Sequence, residues 1–250
     1  MSNSTKRKIL VVNGPTYVSP YRKVAKELDL EFTHNIQDIK DSPESIALVV
    51  FTGGHDVSPE VYGESPHPRT SNSLARDTQE IEVFAIAEAE GIAMAGICRG
   101  SQFLCVMAGG KLVQDITNHA GPDHDINALM PDGSEETFSV TSSHHQMQYP
   151  FNMDDSKYVI LGCSTKQRST HYAMNAETTY SRQQADANLA MEPDIIWYPE
   201  ISALGAQYHP EWMPKSSRGF TAYEELVDHY LKPLMVVDDT DGTETSQEAS

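Results

Sequence analysis

An α/β protein is predicted by three apolar runs that each end at a turn signal, with helical periodicity between them. The runs are "KILVVNG" (8–14), "IALVVF" (46–51, meeting Gly53-Gly54) and "GIAMAGI" (91–97). Each is short and continuously apolar, the pattern of a strand buried on both faces of a parallel sheet. After the first, "SPYRKVAKELDLEF" (19–32) opens on Ser-Pro and places Val24 and Leu28 at helical spacing. Before the third, "DTQEIEVFAIAEAE" (77–90) repeats Ile81, Phe84, Ala85 and Glu88 with helical period. Strand and helix therefore alternate, which sets the class.

Further along, "GKLVQDI" (110–116) and "EETFSVTSS" (135–143) read as short strands around a histidine-bearing loop. "PDIIWYP" (193–199) and "SALGAQYHPEW" (202–212) read as a hairpin. "RGFTAYEELVDHYLKPLM" (218–235) closes the fold with a helix carrying Phe220, Tyr223, Leu226, Val227 and Tyr230. We expect one domain over 1–236. Residues 237–250 hold five acids and no base, so a disordered solvated tail is expected there.

The charge narrows the function. A net charge of −18 repels phosphate backbones and anionic bilayers, so neither nucleic acid nor membrane is expected as a partner. No stretch reaches the roughly 18 to 20 apolar residues of a spanning helix, and the opening residues lack a signal peptide's apolar region. Cys98, Cys105 and Cys163 are an odd number without paired spacing, which favours a reducing compartment. A cytoplasmic protein that takes a small molecule, with a homodimer left open, is the expectation.

The chemistry centres on "GICRGSQ" (96–102). An apolar strand runs into Cys98 and a helix leaves it, with Gly96 and Gly100 two residues to either side. This is the cysteine version of the nucleophile elbow, a tight turn in which small neighbours relieve crowding around a strained nucleophile. The new helix's N-terminus favours thiolate, and the amide of Arg99 is a candidate oxyanion donor. Cys105 and Cys163 lack this glycine frame and read as packing residues.

A second donor is expected on another loop at the carboxyl ends of the strands. Gly53 and Gly54 follow a strand there, and Gly54 is the candidate. For a base, "GAQYHPEW" (205–212) offers His209 with Glu211 two residues on, across a proline. In an extended segment i and i+2 share a side, so Glu211 can hold the His209 imidazole in one tautomer.

Together these segments resemble the class I glutamine amidotransferase family, over roughly residues 46 to 213. Within it they are most similar to the γ-glutamyl hydrolase branch that includes the γ-glutamyl-γ-aminobutyrate hydrolases. The matching segments are "GGHDVSPEVYGE" (53–64), "ARDTQEIE" (75–82), "GICRGSQ", "GGKLVQDI" (109–116), "SSHHQ" (142–146) and "AQYHPEW" (206–212), in the family's order. The resemblance implies a flavodoxin-like three-layer sandwich, a mostly parallel central sheet with helices on both faces. It implies a Cys98, His209, Glu211 triad that cleaves a γ-glutamyl amide through a thioester, without metal or organic cofactor. It further implies that Gln102 and the His144-His145-Gln146 segment line the glutamyl pocket, Gln102 lying one helical turn after Cys98.

Two departures stand out: Cys105 and Thr141 occupy positions where the branch usually carries Asn, and residues 164–195 match nothing in it. Two readings of the enzyme stay open, a free-standing hydrolase, favoured by the "CRG" and "HHQ" variants, and a glutaminase that passes ammonia to a partner synthetase. Outside that chemistry, His119, His124, His144 and His145, with Asp115, Asp123 and Asp125 nearby, offer a metal reading. Their spacings fit no compact ligand motif, and acidic loops in an acidic protein are expected to be solvated. A catalytically silent binding protein on the same fold is the remaining alternative.

Overall fold

The computed structural model describes residues 6–236. The acidic segment 237–250, expected to be a solvated tail, lies outside the described residues.

The three apolar runs form β1 (Lys8–Val12), β3 (Ile46–Phe51) and β4 (Ala93–Ile97), with a short β2 (Glu31–Thr33) inserted between the first two. They pair parallel in the spatial order β2-β1-β3-β4. Strands β3 and β4 are buried at every position, which is why neither alternates polar with apolar. The connections carry α1 (Arg22–Glu27), α2 (Gln37–Asp41) and α3 (Leu74–Ala89), and α4 (Arg99–Met107) leaves the end of β4.

The middle of the chain supplies β5 (Lys111–Val113), β6 (Asp115–Ile116), β7 (His124–Leu129), β8 (Glu135–Val140), β9 (Met147–Tyr149), β10 (Val159–Ser164), β11 (His171–Ala173) and β12 (Thr179–Ser181). Then come α5 (Ala187–Met191), β13 (Pro193–Tyr198) and β14 (Ala203–Ala206). The last two are the expected hairpin, and β14 returns parallel to β4 with Gly205 opposite Gly96. Among the described residues the main sheet has nine strands, in the order β2-β1-β3-β4-β14-β13-β10-β7-β8. Its β2-to-β14 half is parallel, and β13, β10, β7 and β8 extend it as an antiparallel wing. Strand β7 alternates buried with exposed, as a wing with one wet face should.

Side chains alternate across the sheet and fill two cores, giving the three layers. Ile9, Val11, Leu48, Val50, Ala93 and Ala95 face α1 and the C-terminal helix α6 (Arg218–Leu226), meeting Val24, Tyr223 and Leu226. Leu10, Val12, Val49, Phe51 and Met94 face α3 and α4, meeting Val83, Phe84, Phe103 and Leu104. Helix α6 is capped by Ser217, continues through a π turn over 227–231 and ends as α7 (Lys232–Met235). Pro233 has no N–H to donate to the ladder at this point.

The helical period of 77–90 is present, but the buried face differs from the expected one. Asp77, Glu80, Val83, Phe84 and Ala87 point inward, whereas Ala85 and Glu88 are exposed. Two carboxylates sit on the inner face because the buried guanidinium of Arg99 and the partly buried one of Arg76 meet them there.

Candidate active site

The glycine frame of the elbow has a steric cause. Cys98 joins β4 to α4 at φ 53°, ψ −111°, a conformation costly for a residue with a side chain. A Cβ on Gly96 would lie 2.5 Å from the carbonyl oxygen of Gly100, and one on Gly100 would lie 2.1 Å from that of Phe51. Only glycine lets α4 start this close to β3 and β4. The turn is tied by Cys98 N donating to Ala206 O at 2.7 Å, and by Ser101 N and Oγ donating to Cys98 O. Arg99 is the first residue of α4, where an amide has no intrahelical acceptor.

His209 follows β14, the strand that lies beside β4, and this adjacency brings the imidazole beside the Cys98 thiol, close enough for each to act on the other's charge. Its Nδ1 lies 2.6 Å from Glu211 Oε1. The carboxylate does not reach it along an extended segment, as expected from the sequence: Pro210–Trp212 form a 3₁₀ turn that folds Glu211 back under the ring. Pro210, with its fixed φ, starts that turn. Thr141 braces the backbone, its Oγ1 accepting from His209 N at 2.8 Å. The ring of Trp212 stacks on the imidazole. Burial disfavours the charged ring, but hydrogen bonds to Cys98 and Glu211 and their negative charges outweigh it and push His209 up to about 9.

Gly53 and Gly54 lie at the end of β3, beside the same imidazole. A Cβ on Gly53 would lie 3.1 Å from His209 Cε1 and 2.5 Å from the Tyr17 hydroxyl. Gly54 has φ +140°, and the Arg76 guanidinium fills the place of its missing side chain. Among the described residues no acceptor takes the Gly54 N–H. Tyr17 was not expected here. Burial, together with the charges of Glu211 and Cys98, pushes its hydroxyl up to about 12.

Gln102 and the 144–146 segment meet each other. Gln102 Nε2 donates to Gln146 O at 3.1 Å and to Gln207 Oε1 at 3.2 Å, which ties α4 to the histidine loop and to β14. His144 is buried, its Nδ1 2.8 Å from Gln146 O. Burial and the neighbouring His119 hold it well below the ordinary imidazole value. Gln146 is buried with its side-chain amide unpartnered. His145 alone of the three is substantially accessible, lying 3.2 Å from Asp56 and 3.4 Å from Asp115. The hydrogen bond to Asp56 outweighs partial burial and raises its pKa.

The remaining histidines pair off. His119 meets Glu192 at 3.0 Å and His124 meets Asp194 at 3.1 Å. Asp115 is not solvated as expected: it is buried between Arg69, His145 and His171, while Asp123 and Asp125 are exposed. Among the described residues no group of three or more His, Cys, Asp or Glu side chains is arranged to hold a metal ion. Residues 164–195 supply β11 and β12, which pair with β6 in a small three-stranded sheet, and His171 reaches Asp115 at 2.8 Å. Cys105 packs behind α4 in the core, where burial pushes its thiol up to about 11. Among the described residues no helix is long and apolar enough to cross a membrane.

The Peptidase C26 family model matches residues 22–211, which take in Cys98, His209 and Glu211. A glutamine amidotransferase-like protein of Lactococcus lactis subsp. cremoris is 33% identical over 128 residues, 44% of this chain and 68% of that one. A candidate glutamine amidotransferase of Mycobacterium tuberculosis is 42% identical over 82 residues, 31% of this chain, and the match spans only 27% of that relative's length. Among solved structures, a glutamine amidotransferase from Thermotoga maritima superposes with a TM-score of 0.58, covering 92% of this chain and 99% of that one at 13% identity, a likeness of fold. Matched over more than half its length by the family model, and folded as a flavodoxin-like sandwich, the chain belongs to the Peptidase C26 family of class I glutamine amidotransferase-like proteins.

Proposed function

We propose that the protein is a cysteine-dependent hydrolase that cleaves the γ-glutamyl amide bond of glutamine or a γ-glutamyl amine through a thioester. The observation that carries this reading is one imidazole, His209, that lies beside a thiol on a strained turn at the start of α4 and is held from its other side by a buried carboxylate. His209, pushed up to about 9, is the base that takes the proton from Cys98 and so makes the sulfur a nucleophile. The sulfur attacks the δ-carbonyl carbon, and the electron pair displaced onto oxygen is received by the N–H groups of Gly54 and Arg99. Collapse breaks the C–N bond, and His209 gives its proton to the departing amine. Water then attacks the thioester, His209 takes its proton, and glutamate leaves as the thiolate reforms. Glu211 holds the ring throughout. Protein groups, substrate and water balance the reaction, so no cofactor is required.

Gln102 and His144–Gln146 shape the glutamyl pocket in this reading. His145, the accessible one, is the side chain in reach of a ligand, and His144 and Gln146 support the loop from behind. Residues 164–195 join this loop through His171 and Asp115, so selection of the amine is assigned to them. The same chemistry would serve a glutaminase that hands ammonia to a synthetase. Glutamate release from glutamine and from a set of γ-glutamyl amines, by the purified protein and by Cys98→Ala, separates the readings. Fast, Cys98-dependent turnover of the amines without a partner is expected. Silence on the amines, with glutamine cleaved only when a synthetase is added, would move the assignment to the ammonia donor.

A further inference from the structure

The four charged residues that fill the space between α3 and the strand ends are not accounted for by the triad. Glu80, wholly buried, accepts from Arg76 Nε at 2.9 Å and from Asn13 Nδ2 at 3.1 Å through Oε1, and pairs with Arg99 through Oε2. Arg99, the residue next to Cys98, also pairs with Asp77, whose other oxygen accepts from Ser58 N at 3.0 Å. Two guanidiniums and two carboxylates thus balance each other in the interior. Unlike a surface ion pair, such a set is kept at a desolvation cost, and removing one member leaves its partner's charge less well compensated.

The remaining donors of Arg76 converge on the loop after β3. Its Nη1 donates to Gly53 O at 3.0 Å and its Nη2 to Thr52 O at 2.9 Å. Each of its three nitrogens therefore donates to a protein acceptor, which holds the guanidinium in place. The Gly53–Gly54 peptide is planar and trans, so its C=O and N–H point in opposite directions. With the Gly53 carbonyl fixed on Arg76, the Gly54 N–H is committed to the opposite side. The guanidinium also fills the site of a Gly54 side chain, so only glycine tolerates this arrangement.

From this geometry we infer that Arg76 is the positioning residue of the oxyanion site, and that Glu80 ties it to the elbow. Arg76 sets the direction of the Gly54 amide. Glu80, holding Arg76 and Arg99 with the two oxygens of one carboxylate, fixes the distance between the two oxyanion donors. The inference rests on the acyl-transfer reading above, not on the identity of the acyl group.

The test separates oxyanion stabilisation from thiol reactivity. Alkylation of Cys98 by iodoacetamide needs the thiolate but no oxyanion site, whereas acyl transfer from p-nitrophenyl acetate needs both and makes no glutamyl contact. In Arg76→Gln, Cys98-dependent hydrolysis of the ester is expected to fall on the order of 10² to 10³-fold in kcat, with KM and the alkylation rate within about threefold of wild type. Arg76→Lys keeps the charge balance but cannot reproduce the fork, so it carries the same test if the glutamine variant does not fold. It is expected to lose kcat in the same selective way. An ester rate within threefold of wild type, or alkylation falling in parallel with it, would overturn the inference. A wild-type protein that turns over the ester but no γ-glutamyl amide would end the substrate assignment and leave the positioning role supported. One inert to both would end both.

Discussion

Trp212 lies flat on the imidazole of His209, ring centroids 3.5 Å apart and planes within 2° of each other, while the indole is 56% exposed. The stack fixes the plane in which Nδ1 meets Glu211 and Nε2 faces Cys98. A π face over the ring also favours the imidazolium form, by about 0.5–1 kcal/mol at a site open to water. Trp212→Ala should lower the His209 pKa by a fraction of a unit and move the thiolate-imidazolium pair's profile with it. The pH dependence of Cys98 alkylation reads this directly. A profile superimposable on wild type would show that the stack is only packing.

Glu211 makes a claim on stability as well as on the ring. The folded His209, at about 9, sits above the usual imidazole value near 6.5, so its protonation stabilises the fold. That contribution, on the order of 3 kcal/mol, is fully present below about pH 6.5 and is lost as pH rises through about 9. Glu211→Gln removes one of the charges that raise the ring, so the stabilisation should be smaller below about pH 6.5 and should be fully lost at a lower pH than in the wild type. Melting temperatures of the two proteins from pH 5 to 10 should differ most on the acid side and draw together as pH rises through about 9. A constant offset across the whole range would contradict the linkage.

The elbow glycines give a steric prediction. Gly100→Ala would push a methyl group to 2.1 Å from a backbone oxygen of β3, with no flexible side chain to yield. Overpacking of this kind costs typically about 1–3 kcal/mol, and a backbone clash belongs at or above the top of that range. At this chain length that is a fall of roughly 5–10 °C in Tm, with Cys98 displaced and its alkylation slowed. Gly63→Ala is the control, because nothing lies within 4 Å of a Cβ there, though its φ of +72° carries a smaller strain of its own.

The legible parts of this protein are those where the backbone constrains residue type. Strands β1, β3 and β4 are buried on both faces and so read as unbroken apolar runs. The elbow needs glycine two residues to either side of Cys98, and "HPE" keeps imidazole and carboxylate two residues apart. What the sequence hides depends on distant partners. Asp77 and Glu80 were not among the periodic positions read from the helix, because the Arg99 that meets them in the interior lies about twenty residues on. "ARDTQEIE" marked the spot without giving its role. The antiparallel wing joins β10 to β13 and β7 across long separations, and no local pattern announces Tyr17 beside Gly53. Glu211 reached its histidine through a turn, since the proline that seemed only to separate them also bends the chain.

Glu192 links segment 164–195 to the site. It is buried at φ 49° and accepts from His119, Tyr172 Oη, and the amides of Arg168 and Ser169. Burial works against its charge, but the hydrogen bond and charge of His119, with the other donors, prevail and lower its pKa. Its contribution to stability is therefore present above the ordinary glutamate value near 4.3 and lost as pH falls through the lower folded value. Glu192→Gln turns an amide towards the backbone N–H groups and leaves buried donors without their acceptor, a change expected to cost about 1–3 kcal/mol. The carbonyl of His119 accepts from His144 N and Ser142 Oγ, so the disturbance should reach the 142–146 loop. The variant should show faster cleavage of 164–195 by protease and a raised KM for γ-glutamyl substrates, with kcat changed less because Cys98, His209 and Glu211 stand on other elements. Equal losses in kcat and KM, with the segment still protected, would mean that the carboxylate supports the triad rather than the loop.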